Sequence, residues 1–297
     1  MSRGFVYVLV SQNSDYIKIG GTAKPISDRL KAINGKAPYA DFSPWAISDF
    51  LHVTNWRLVE GKLHKHFQKK QIRERKGAQN APGPRELFDL RPLEARKRLR
   101  QTNPPLRVDR ETTERVFKNR DVELFLYKLF ELSGLFGSLD LQGAWTLSLL
   151  PSTVGGRWFT LNIGPHEVAF STRKAGDKKF SHHLVLDRLI LDYPDTIIWI
   201  GKHDGDVYEA PYRTARERAV SISFLEDFAN AEKVFNLQGV RRALVAYWSE
   251  ALADLRERNA KSAFARYHSY DAVSELLEYK RATEAARVHA SRYSSRL

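Results

Sequence analysis

The opening stretch of this chain constrains its fold more than any other. GFVYVLV (Gly4 to Val10) is a continuous apolar run rich in β-branched residues, SQNSD is a polar turn, and YIKIG (Tyr16 to Gly20) alternates before the pair Gly20-Gly21. Runs of this kind, bounded by turn residues, specify two strands joined as a hairpin. Pro25 is placed to begin a helix whose Ile26, Leu30 and Ile33 recur at helical spacing. A third strand is expected from Trp45 to Val53, after Pro38 and Pro44 have broken any helix. Asn55 then caps a helix expected to carry Leu58, Leu63 and Phe67 inward. Gly77 to Pro84 reads as a loop, Arg85 to Leu90 as a short strand, and Leu93 to Arg100 as a basic helix.

At 297 residues the chain suits two domains. The reading places a first domain at 1–101, a linker at 102–109 marked by Pro104-Pro105, and a second domain at 110–297. In the second, a helix is expected over Val116 to Phe136 and strands over Ala144 to Leu150, Trp158 to Ile163 and Val168 to Thr172. A helix at His183 to Leu191 is expected next, then a hairpin of DTIIWIG and DVYEAPY around His203-Asp204-Gly205. Amphipathic helices over Leu237 to Arg258 and Ser269 to Arg287 close the chain. Trp158, Phe159, Trp199, Tyr208 and Tyr212 are expected in its core, and His182-His183 at the surface. The fold class is α+β: a small sheet domain flanked by helices, then a mixed α+β domain with a helical C-terminus.

Charge is divided unevenly. Residues 1–108 hold 21 Lys and Arg against 9 Asp and Glu, net +12, while residues 109–297 hold 27 against 26, net +1. Solubility needs no such asymmetry, whereas neutralising a polyanion does, so the first third is expected to meet nucleic acid. Zero cysteines exclude disulfides, thiolate metal sites and a cysteine nucleophile. With no secretion pattern at the N-terminus and no long apolar run, a cytoplasmic location without membrane association is expected.

Four polar side chains fall on four elements of the first domain: Tyr7, Lys18, Arg29 and Glu60. Glu60 and His64, four apart, share a helix face. In this order and spacing the domain resembles a GIY-YIG nuclease over about residues 4–90. The two strand motifs read Gly4-Phe5-Val6-Tyr7 and Tyr16-Ile17-Lys18-Ile19-Gly20, followed by Arg29 in SDRL and Glu60 in VEGKLHKHF. VYVL, KIG, DRL, the Glu60/His64 pair and RELF look like the phage- and bacteria-associated branch in which lysine replaces the second tyrosine.

The resemblance implies a metal-dependent endonuclease that hydrolyses DNA phosphodiesters. It places Mg²⁺, with Mn²⁺ as a substitute, on Glu60, and gives Tyr7 the orientation or deprotonation of the attacking water. Lys18 is then expected to supply the positive charge that lowers the Tyr7 pKa, and Arg29 to hold a phosphate oxygen. His64 is expected to orient water or contact phosphate, while Tyr16 and Glu86 are accessory candidates. The family's company suggests restriction of foreign DNA and phage defence. Phosphate contacts are expected from a subset of Lys62, Lys65, Lys69, Lys70, Arg73, Arg75, Lys76, Arg96, Lys97, Arg98 and Arg100. Two other readings stand beside this one. The domain is an inactive nuclease fold that holds nucleic acid, or the second domain is a sensor or self-association module with the nuclease as effector.

Overall fold

The computed structural model describes residues 2–72, 85–152, 154–210, 217–258 and 261–294. The expected loop Gly77 to Pro84, and Arg73, Arg75, Lys76 and Tyr212, lie outside them. The chain divides into two compact units, Met1–Arg110 and Glu111–Leu297.

In the first unit, β1 (Gly4–Ser11), β2 (Ile17–Thr22), β3 (Trp45–Val53) and β4 (Leu87–Phe88) form an antiparallel sheet in the order β3-β1-β2-β4. Alternation on a strand sends neighbouring residues to opposite faces. Val6, Val8, Ile17, Ile19, Leu51 and Val53 therefore share one face. They pack against Val59 and Leu63 of α2 (Trp56–His66) and Ala95 and Leu99 of α3 (Pro92–Arg100). The other face carries Tyr7 and Lys18, and α1 (Ile26–Gly35), with Ile26, Leu30 and Ile33 buried, belongs to that layer. The Asn55 side chain caps α2 by accepting from the Leu58 N–H at 3.2 Å. Leu58 itself is 43% exposed, because it falls on the helix side opposite Val59, Leu63 and Phe67.

The stretch expected as a linker is instead joined to the first unit. Thr54 N–H donates to the Leu106 carbonyl at 2.8 Å, Val108 N–H donates to the His52 carbonyl at 2.9 Å, and Val53 bridges Arg107. α3 is held by an ion pair in which Arg100 donates from Nε and Nη2 to the buried Asp49 carboxylate at 2.9 and 2.6 Å. Arg100 is thus occupied by the fold.

The second unit begins with α4 (Arg110–Phe117) and α5 (Arg120–Ser133). They replace the single helix expected over Val116 to Phe136, because Asn119 interrupts it and caps α5. An antiparallel six-stranded sheet follows in the order β5-β6-β7-β8-β10-β9. Its strands are β5 (Trp145–Leu149), β6 (Gly156–Ile163), β7 (His166–Arg173), β8 (Phe180–Asp187), β9 (Asp206–Glu209) and β10 (Ala219–Glu226). The remaining helices are α6 (Pro194–Lys202), α7 (Phe228–Ala231), α8 (Gln238–Arg258) and α9 (Tyr270–Ser294).

Two sequence expectations fail here, and one strand is missing from them. His183 to Leu191 is mostly strand β8, DTIIWIG lies wholly within helix α6, and β10 was not foreseen. Pro194 at the first turn of α6 and Asp195 beside it are the helix-start signals that outweigh the β-branched run. Of the expected core aromatics, Phe159 is fully buried, Trp158 and Trp199 are half-buried, and Tyr208 is 36% exposed.

Candidate active site

The sequence candidates meet around the β1–β2 hairpin. Tyr7 pairs with Gly20 across the hairpin and Leu9 with Lys18, so Tyr7 and Lys18 point to the same face two residues apart. A Cβ on Gly20 would lie 2.6 Å from the Tyr7 hydroxyl, so the glycine is there to admit that oxygen. A Cβ on Gly21 would meet the Trp56 ring at 2.5 Å and Glu60 Oε2 at 3.2 Å, which makes the second glycine the seat of α2 and its carboxylate. From α1, Arg29 Nε–H donates to the Tyr7 hydroxyl at 3.2 Å.

Burial sets the protonation states. Tyr7 and Lys18 are both fully buried. Loss of hydration pushes the Tyr7 hydroxyl up to about 12, against the hydrogen bond and charge of Arg29, which pull it down. Burial pushes the Lys18 amine down to about 6, with the Arg29 charge acting in the same direction and Glu60 opposing both. The hydrogen bond and positive charge that act on Tyr7 come from Arg29. For Lys18, expected to supply that charge, burial disfavours the ammonium, and the Glu86 carboxylate it touches works the other way.

Lys18 Nζ touches the Glu86 carboxylate, which stays 26% exposed, and stands 3.9 Å from the centre of the Tyr39 ring and 5.9 Å from that of Tyr7. Glu86 is thereby brought to the cluster from the segment beside β4. Tyr39 is the member that sequence reasoning missed. Burial raises its pKa, and Arg29 and Glu60 act on it as they do on Tyr7. It lies between Pro38 and Pro44 in a stretch without periodicity, where an aromatic beside proline is the only signal.

Tyr16, expected to share the face of Lys18, lies before β2 and sets its ring against Phe42, with centroids 6.2 Å apart. His64 Nε2–H donates to the Ile19 carbonyl at 2.9 Å, tying α2 to β2, so that nitrogen is turned away from water or phosphate. Glu60 is half-buried and makes no hydrogen bond or ion pair among the described residues, yet it acts electrostatically on Tyr7, Lys18 and Tyr39. The described residues hold no group of three or more His, Cys, Asp or Glu able to bind a metal, so any ion here would rest on few protein ligands.

Of the basic residues, Lys70 donates to both oxygens of Glu94 at 3.0 and 2.9 Å, and Arg98 donates to Gln101 at 2.8 Å.

Residues 4–103 match the T5orf172 domain. That family is associated with endonuclease-like domains related to GIY-YIG, and the match is compatible with a nuclease-like, nucleic-acid-binding role. The T5orf172-like segment spans about a third of the 297 residues and contains every member of the cluster. No curated protein and no solved structure matches the chain. Among the described residues, no helix is long and apolar enough to cross a membrane.

The histidines of the second unit are held by the fold. His182, expected at the surface, is fully buried. Its Nε2–H donates to the Glu226 carbonyl at 3.0 Å, its Nδ1 accepts from the Ser171 hydroxyl at 2.8 Å, and burial pushes it down to about 4. His203 donates from Nδ1 to the Trp199 carbonyl at 2.7 Å and stacks on that ring at 3.8 Å.

Proposed function

We propose that the first unit is a Mg²⁺-dependent DNA endonuclease of the GIY-YIG kind. The observation that supports it best is the convergence of Tyr7, Lys18, Arg29 and Glu60, from two strands and two helices, into one electrostatic cluster in which Glu60 has no hydrogen-bond or ion-pair partner among the described residues. A lone, half-buried carboxylate fits Mg²⁺, which keeps several waters and needs one or two carboxylates besides phosphate oxygens. Glu60 would hold it, with Mn²⁺ an acceptable substitute. When bound, the ion polarises the scissile phosphate and stabilises the leaving oxygen.

The chain's own groups divide the remaining work. Arg29, already donating to Tyr7, holds a phosphate oxygen as negative charge builds. Tyr7, with its pKa near 12, stays protonated in the free protein and orients the attacking water by hydrogen bonding. Lys18 Nζ is the group of the cluster whose proton affinity suits a general base near neutral pH. It takes the water's proton as the oxygen attacks phosphorus, and the ammonium so formed rests against Glu86. Cleavage should rise with pH through about 6 as Lys18 loses its proton. Target choice falls to the second unit, and restriction of foreign DNA is the setting this reading favours.

The test is cleavage of supercoiled plasmid and of single-stranded DNA by the full chain with Mg²⁺, Mn²⁺ or EDTA. Metal-dependent nicking that drops by about 10²–10³-fold in Arg29→Ala is expected. Nicking that persists in EDTA, or at full rate in the variant, would contradict the reading.

A further inference from the structure

Helix α2 carries a glycine that the fold does not explain. Gly61 lies in the middle of the helix, where glycine is the least favourable residue after proline. Unlike Gly20 and Gly21, it is exposed, and a Cβ there would meet nothing within 4 Å. Among the described residues, no packing requirement excludes a side chain.

Its surroundings on the helix are specific. Val59, Leu63 and Phe67 face the core, and Glu60 and His64 lie along the edge nearest the cluster. Around the helix from that edge come Arg57, which lies over the Trp56 ring and donates to Ser2 Oγ at 3.4 Å, then Gly61, and beyond it the exposed side holds Lys65 and Lys62. Glu60 is the only acidic residue of α2, and Lys62 and Lys65 make no ion pair among the described residues. The helix thus presents a bare spot between its carboxylate edge and the cations Lys65 and Lys62.

We propose that Gly61 is the place where the substrate's phosphodiester backbone lies against α2, with Lys62 and Lys65 neutralising phosphates beside it. The inference rests on the nuclease reading and assigns its substrate track. Absence of a side chain lets a sugar–phosphate strand approach the helix closely enough to reach Glu60, and the cations fix its register.

The experiment measures binding of a short labelled DNA duplex by the full chain in EDTA across a salt series, together with thermal unfolding of each protein. Variants are Gly61→Ala, Gly61→Leu and the double substitution Lys62→Ala/Lys65→Ala. Alanine and leucine are better helix formers, so both should unfold at temperatures equal to or a few degrees above wild type. Affinity should move the other way, falling about threefold in Gly61→Ala and at least about tenfold in Gly61→Leu, as the strand is held off. The double substitution should reduce the slope of log affinity against log salt by about 2. Wild-type affinity in Gly61→Leu, or an unchanged slope in the double variant, would overturn the proposal. So would lower affinity accompanied by lower stability, which marks a packing residue. Absence of DNA binding by the wild type would remove the nuclease reading itself.

Discussion

His182 in the second unit and Lys18 in the first are both fully buried polar side chains on central strands, and the fold treats them differently. His182 has a partner for each ring nitrogen and sits among Phe125, Phe180, Phe224 and Phe228, so its polarity is absorbed by structure. His268 is treated likewise, accepting the Leu147 N–H at 3.0 Å. Lys18 has one carboxylate and two tyrosine rings beside it, and its charged form is disfavoured by its surroundings. Glu60, which acts electrostatically on Lys18, has no hydrogen-bond or ion-pair partner among the described residues. Burial alone therefore does not mark function. A functional site is marked by polar groups whose placement costs stability without a structural return.

Three substitutions sharpen that contrast. Lys18→Met should cut metal-dependent cleavage by about 10²–10⁴-fold, the usual worth of a general base. It should also flatten the pH dependence of stability. The folded Lys18 releases its proton at about 6 and the unfolded one near 10.5. Between those values the unfolded state binds more protons, so wild-type stability rises with pH across that window and the variant's should not. Urea unfolding between pH 6 and 9 reads this directly. Asp49→Ala, which strands the Arg100 guanidinium behind α3, should cost about 3–5 kcal/mol in the first unit, seen in the same urea curves. His182→Phe leaves the Ser171 hydroxyl and the Glu226 carbonyl without their partner and should destabilise the second unit by about 1–3 kcal/mol, read by calorimetry. A stabilising His182→Phe or a neutral Asp49→Ala would break the comparison, because those groups would then not belong to the structure.

The first sheet was legible because its signals are local. Gly4 to Gly21 combines β-branched runs with turn residues, Pro25 and Asn55 mark two helix starts, and Leu63 and Phe67 face inward as their helical spacing indicates, whereas Leu58, expected with them, is exposed and Val59 takes that place. The larger sheet was less so. The apolar run from Thr196 to Ile200 fits a strand or a short helix equally by composition, and only Pro194 and Asp195 favour the helix. β8 was misread because LVLDRLIL also carries helical spacing, and its strand identity comes from pairing with β7 and β10.

The cluster around Tyr7, Lys18, Arg29 and Glu60 could be read from motif order, and Glu86 from its neighbourhood. Tyr39 could not, because a loop without periodicity carries it to Lys18. The lowered pKa of Lys18 was equally hidden. The residue sits in an alternating strand that suggests one solvated face, and both faces prove to be covered.

The most direct test of the account is to measure thermal unfolding and Mg²⁺-dependent plasmid nicking on one preparation of Glu60→Gln. Because Glu60 makes no hydrogen bond or ion pair among the described residues, the account predicts an unfolding temperature within about 2 °C of wild type. Nicking should fall by about 10³-fold or more. Nicking that survives the substitution, or lost nicking with unfolding several degrees lower, would show that Glu60 serves the fold and that the chemistry lies elsewhere.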